Sequence, residues 1–192
     1  MTGNVKDIST VVKGTEKLFL GLDASTQSLK GTLIKENCSI IYENSIQFDS
    51  DFPEFQTQDG VHRHTDGLTV TSPPLMWIAA LDLLFKRMMQ DKIPFERIVA
   101  ISGSGQQHGS VYLCNGASRT LKSVSPALPL RNQLKSIFSV KESPIWMDSS
   151  TSKQCKERDT ALGGAQAVAM LTGSRSYERF TGNQIAKIYQ GR

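Results

Sequence analysis

The chain has 192 residues, 39% hydrophobic and 21% charged, a balance that suits a soluble globular protein with one sizeable core. Its 22 Lys and Arg against 18 Asp and Glu leave a net charge of +4, scattered without a basic block or interleaved aromatics, which argues against a nucleic-acid partner. No apolar run is long enough for a transmembrane helix, so no membrane partner is expected.

Cys38, Cys114 and Cys155 are odd in number and far apart, which points to a reducing compartment rather than a disulfide framework. Residues 1–16 read as a loose polar tail with no signal-peptide core, and the cytosol is the expected location. The rest, 17–192, reads as one domain. Residues 17–22, 30–35 and 39–48 are strand-like runs joined by short polar turns, a β-meander. Residues 52–66 lack periodicity and read as a surface loop. After Ser72-Pro73-Pro74, residues 75–90 carry apolar positions at helical spacing with Pro in the first turn.

A short β run over 97–102 ends in Gly103-Ser104-Gly105, and 110–113 reads as a further strand. Residues 115–144 look irregular, with one helix near 130–138. Asp148, Ser149, Ser150 and Thr151 are placed to cap a helix through about 158; 164–171 is another helix, and a last one begins near Asn183. Antiparallel strands followed by helix–strand alternation indicate an α/β domain with a mixed sheet.

Four stretches carry candidate chemistry. In "GLDASTQSLK", Asp23 at a strand end beside Ser25, Thr26 and Lys30 suits a Mg²⁺ held through water while the loop meets phosphate oxygens. The competing account is that Asp23 and Ser25 bond only the turn backbone. In "SGSGQQHGS" the glycines match neither a Walker motif nor a dinucleotide fingerprint. They permit a tight loop from which Gln106, Gln107 and His108 offer the mixed donors and acceptors that a polyhydroxy compound needs.

In "PIWMDSST", Trp146 offers an apolar face to a sugar ring and Asp148 a hydroxyl acceptor; a core Trp followed by a helix cap is the competing account. In "TGSRSYERFTGNQ", Arg175 and Arg179 suit a phosphate or hydroxyl, or a surface pair with Glu178. His62 and His64 form an H-x-H, but with three His in all and no nearby Cys a zinc site is not expected.

Taken in this order, "GLDAST", "SGSGQQHGS", "WMDSST" and "LTGSRSYERFTGNQIAKI" resemble the N-terminal part of the FGGY carbohydrate kinases, nearest their animal and fungal xylulose-kinase branch, over about residues 18–190. The resemblance implies an actin/hexokinase-like (ribonuclease H-like) domain, a mixed β-sheet flanked by helices. It also implies transfer of the γ-phosphoryl of MgATP to the 5-hydroxyl of D-xylulose, with ATP and Mg²⁺ as cofactors.

By that resemblance Asp23 lies near the Mg–phosphate group, with Ser25, Thr26 and Lys30 on the nucleotide side. Gln107 and His108 meet the sugar, Arg179 is the best match for the substrate arginine, and Trp146 and Asp148 form a Trp-x-Asp signature at the same cleft. Such an orienting shell suits phosphoryl transfer, which is mostly positioning and electrostatic stabilisation. The family's catalytic Asp sits in a Gly-Asp-Asn motif of a second, ATP-binding lobe, and no Gly-Asp-Asn occurs here. The expectation is an incomplete domain, truncated before that lobe, with no catalytic base and no turnover alone. A non-catalytic sugar-binding or regulatory fragment is the alternative.

Overall fold

Alternation along the first strands decides which way they face. In β1 (Leu18–Ala24), Leu18 and Leu20 are buried on one side while Asp23 is exposed on the other. In β2 (Ser28–Lys35), Leu29 and Leu33 are buried, and in β3 (Ile40–Gln47) Tyr42 and Ile46. The structure, a computed structural model, describes residues 16–191, so the tail expected over 1–16 falls outside it except for Glu16. The meander expected at the start of the domain is present, each strand within two residues of its anticipated bounds.

β1 pairs antiparallel with β2, and β2 with β3. β6 (Ile98–Gly105) joins the far side of β1 in parallel, giving a mixed sheet of order β3-β2-β1-β6. The buried face is covered by α2 (Pro74–Gln90), whose Met76, Ala80, Leu84 and Met88 recur every fourth residue and are all fully buried. Gly31 brings the helix close: a Cβ there would lie 2.9 Å from a Leu84 methyl. Among the described residues no helix is long and apolar enough to cross a membrane.

Three expectations differ. Residues 52–66 are not a plain surface loop. They follow a one-turn α1 (Phe48–Asp51), include a 3₁₀ turn at Pro53–Phe55, and bury Val61 before β4 (His62–Arg63). β4, β5 (Val70–Ser72) and β7 (Ser143–Pro144) form a second, antiparallel sheet of order β4-β5-β7 around Val61, Val70 and Ile145. Strands of two or three residues are too short to show a period.

Residues 110–113 form no strand; they make the isolated bridge Leu113↔Phe138 and single backbone hydrogen bonds, Ser110 N–H to Pro144 O and Ser139 N–H to Tyr112 O. The 115–144 segment holds two short helices, α3 (Ala117–Lys122) and α4 (Leu130–Leu134), over a small core of Ala117, Leu134 and Ile137. The Asp82 carboxylate of α2 accepts from Leu130 N–H at 2.9 Å and Arg131 N–H at 2.8 Å, which starts α4 from outside it. Three helices close the described chain as expected: α5 (Ser152–Ala161), α6 (Ala165–Thr172) and α7 (Thr181–Gln190).

Candidate functional site

β1 and β6 run parallel and stop together: Ala24 and Gly105 are register partners, and Gln106 N–H donates to Ala24 O at 3.0 Å. Loops leaving the carboxyl ends of neighbouring parallel strands are where open α/β sheets build ligand sites. Here the loops are 25–28 and 105–109. Asp23, Ser25, Thr26, Gln107, His108 and Trp146 line a cleft of about 350 Å³ between them. Residues from three of the four candidate stretches thus meet at one place.

The first loop is tightly made. Ser25 N–H and hydroxyl both donate to Ser28 O, at 2.9 and 3.0 Å, so this serine serves its own turn. Thr26 faces the cleft, and its hydroxyl accepts the Trp146 indole N–H at 2.9 Å. Asp23 accepts from the Ser104 hydroxyl at 2.9 Å across the β1–β6 pair. Behind the loop stands Gly60, at φ +75°. A Cβ on it would lie 2.1 Å from the Thr26 carbonyl oxygen.

Asp49 holds Gly60 in place, accepting Gly60 N–H at 3.0 Å and Asp59 N–H at 2.6 Å. This brace was not foreseen from the sequence. The Asp59-Gly60 pair is a turn signal, but nothing local says which backbone it packs against.

In the second loop His108 sits in the left-handed region at φ 57°, with its ring 5.3 Å from that of Phe180. Gln106 Oε1 is buried without a hydrogen-bond partner. The fourth stretch arrives through Arg179, whose guanidinium lies 5.7 Å from the centre of the Trp146 ring, within cation–π range. Arg175 turns away onto Tyr177 at 5.4 Å. Trp146 is 38% exposed, so it is a wall of the cleft rather than a core residue.

Two expected site residues lie elsewhere. Lys30 pairs with Asp23 across the β1–β2 ladder, but its ammonium bridges Glu43 at 3.1 Å in a neighbouring groove of about 280 Å³. That groove lies on the uncovered face of the sheet with Asp23, Thr32, Ser102 and Ser104, so Asp23 alone is shared between the two hollows. Asp148 is 1% exposed and does not line the cleft. Its carboxylate accepts Val70 N–H at 3.0 Å and the Gln184 amide at 2.7 Å. It does not cap α5 either; the N-cap is Thr151, without a side-chain cap bond.

Among the described residues no three His, Cys, Asp or Glu gather as a metal cage. One carboxylate at a strand end fits Mg²⁺ held mainly by water and phosphate, which is how that ion commonly binds.

No family model matches the chain. The mouse xylulose kinase is 57% identical over 171 residues, 89% of this chain and 31% of the relative. The Arabidopsis thaliana xylulose kinase 2 is 50% identical over 175 residues, 91% of this chain and 31% of the relative. The chain thus spans under a third of these curated relatives. Among solved structures, a xyloylose kinase from Brucella ovis superposes with a TM-score of 0.63 at 20% identity, over 90% of this chain and 29% of that one. The fold is therefore the actin/hexokinase-like one of sugar kinases, a mixed sheet with flanking helices.

Proposed function

We propose that the chain is the sugar-side part of an FGGY-family D-xylulose kinase, forming D-xylulose 5-phosphate with MgATP. The observation that carries this reading is the convergence of the 105–109 loop, Trp146 and Arg179 at the ends of β1 and β6, in a sequence 57% identical to a xylulose kinase. His108 and Gln107 offer hydrogen bonds to sugar hydroxyls, Trp146 covers an apolar edge, and Arg179 holds charge against the Trp146 ring. Asp23 stands where water around a Mg²⁺ ion would meet a carboxylate, with Lys30, Ser102 and Ser104 beside it on the open face. When bound, MgATP supplies the phosphoryl group; these residues orient the acceptor.

By the family resemblance the base for the sugar hydroxyl belongs to a Gly-Asp-Asn motif that does not occur in this sequence, so the 192-residue chain alone should show no turnover. A cytosolic location goes with the reading, supported by three free thiols.

A chimaera tests it. Mouse xylulose kinase with its matched segment replaced by this chain should phosphorylate D-xylulose with MgATP. A chimaera that prefers glycerol or ribulose by a wide margin sinks the substrate assignment. Turnover by the isolated chain would sink the view that the base lies outside it.

A further inference from the structure

We propose that Asp148 and Gln184 form a buried clamp that holds Trp146, a wall of the cleft, against the Arg179–Phe180 turn, which packs on Trp146 and on His108 from outside the cleft. It is a positioning device, and its importance for sugar rests on the reading of the cleft given above. Both side chains are 1% exposed. Asp148 follows Trp146 by two residues. Gln184 lies in the first turns of α7, whose N-cap is Phe180. Each clamp residue is thus within four residues of the segment that it would hold.

Donors from three segments converge on this carboxylate. Oδ1 accepts the Gln184 amide at 2.7 Å, Ser150 N–H at 3.1 Å and the Ser150 hydroxyl at 2.5 Å. Oδ2 accepts Val70 N–H at 3.0 Å from β5. No ion pair neutralises it among the described residues, so these hydrogen bonds are what make its burial tolerable. Gln184 also donates to Asp148 O at 3.3 Å and Glu178 O at 3.4 Å, and Thr151 donates to the same Glu178 carbonyl at 2.5 Å. The Lys187 ammonium donates to the Ser150 hydroxyl. The 178–180 turn is therefore tied to the 148–151 turn across a separation of about thirty residues.

Two contacts at the cleft depend on that tie: Arg179 over Trp146 at 5.7 Å, and Phe180 against His108 at 5.3 Å. A tilt of the 178–180 turn by about 1 Å would disturb both, and one of the 148–151 turn the first; misplacements of that size are costly where positioning is the catalytic contribution.

The test reads the Trp146 wall without relying on sugar. The chain has two tryptophans, Trp77 and Trp146, so its ¹⁵N spectrum shows two indole signals, assigned with Trp146→Phe. Asp148→Asn puts an amide donor where donors already converge. It should shift the Trp146 indole signal, leave that of Trp77 in place, and weaken D-xylulose binding at least tenfold. Gln184→Met keeps the length of the side chain but removes its donors to Asp148 and Glu178, and should shift the Trp146 signal and weaken binding comparably, again with the Trp77 signal in place.

An unmoved Trp146 signal in Asp148→Asn overturns the clamp. So does a folded Gln184→Met variant whose Trp146 signal stays in place. Absence of D-xylulose binding by the wild-type chain would count against the sugar reading, while the indole signals still judge the clamp.

Discussion

The two faces of β1 make opposite demands on one strand. Leu18 and Leu20 belong to the same core as Leu84 and Met88 of α2, where water is excluded and shape decides. Asp23, three residues on, belongs to the uncovered face with Lys30, Thr32, Ser102 and Ser104, where hydroxyls and charges stay wet. The period of two lets a seven-residue strand carry a core and a site at once. It follows that damage to one face should register as lost stability, and damage at the strand end as lost recognition.

The largest effect expected from breaking that division is Leu84→Ala. Leu84 is fully buried against Gly31, and its truncation should cost about 2–5 kcal/mol in a denaturant melt. A loss below about 1 kcal/mol would mean that α2 does not pack as described. Next is Gly60→Ala, which combines a positive φ with a Cβ 2.1 Å from the Thr26 carbonyl oxygen. The strain should cost about 1–3 kcal/mol. Unlike Leu84→Ala it should also displace Thr26, seen as a shifted Trp146 indole signal; an unmoved signal would detach Gly60 from the site.

These two predictions also mark how far the sequence could be read. The faces of β1 and β2 and the buried edge of α2 follow from local periodicity, and the glycine loop after β6 declares itself by composition. Gly60 does not, because its partner lies 34 residues earlier and only packing brings them together. Asp148 misleads for the same reason. "DSST" before a helix looks like a cap, and beside Trp146 like a cleft acceptor, yet Val70 and Gln184, 78 residues before and 36 after it, take the carboxylate. Lys30 belongs to the motif by spacing but to the other hollow by the pleat.

A smaller effect sharpens the comparison at the strand end. Thr26→Val removes the acceptor of the Trp146 indole N–H and should cost about 0.5–1.5 kcal/mol, with a clear loss of D-xylulose affinity. Unchanged affinity would show that Trp146 is held without Thr26.

The smallest effect lies away from both faces. His62 meets two acceptors, the Glu142 carboxylate from Nδ1 at 2.9 Å and Phe55 O from Nε2 at 2.8 Å; only the imidazolium donates to both. The Thr71 hydroxyl donates to the same Glu142 oxygen and also meets His64. Burial pulls the His62 pKa down, but its bonds to Glu142 and Phe55 and the charge of Glu142 hold it above its ordinary value.

A raised folded pKa stabilises the protein below the unfolded value of about 6.5, and that stability is lost as pH rises through the higher folded value. Melts of wild type and His62→Gln should therefore differ more at pH 5.5 than at pH 8.5. An equal difference at both would show that His62 is not charged in the fold.

On the proposed reading, the cleft at the ends of β1 and β6 takes a ketopentose. Titration of D-xylulose into the ¹⁵N-labelled chain tests it most directly, with His108→Ala as the paired variant. Saturable shifts are expected at the His108 ring and the Trp146 indole, lost on His108→Ala, with the Trp77 indole unmoved. Saturation that survives His108→Ala, or no saturable shift in the wild type, would contradict it.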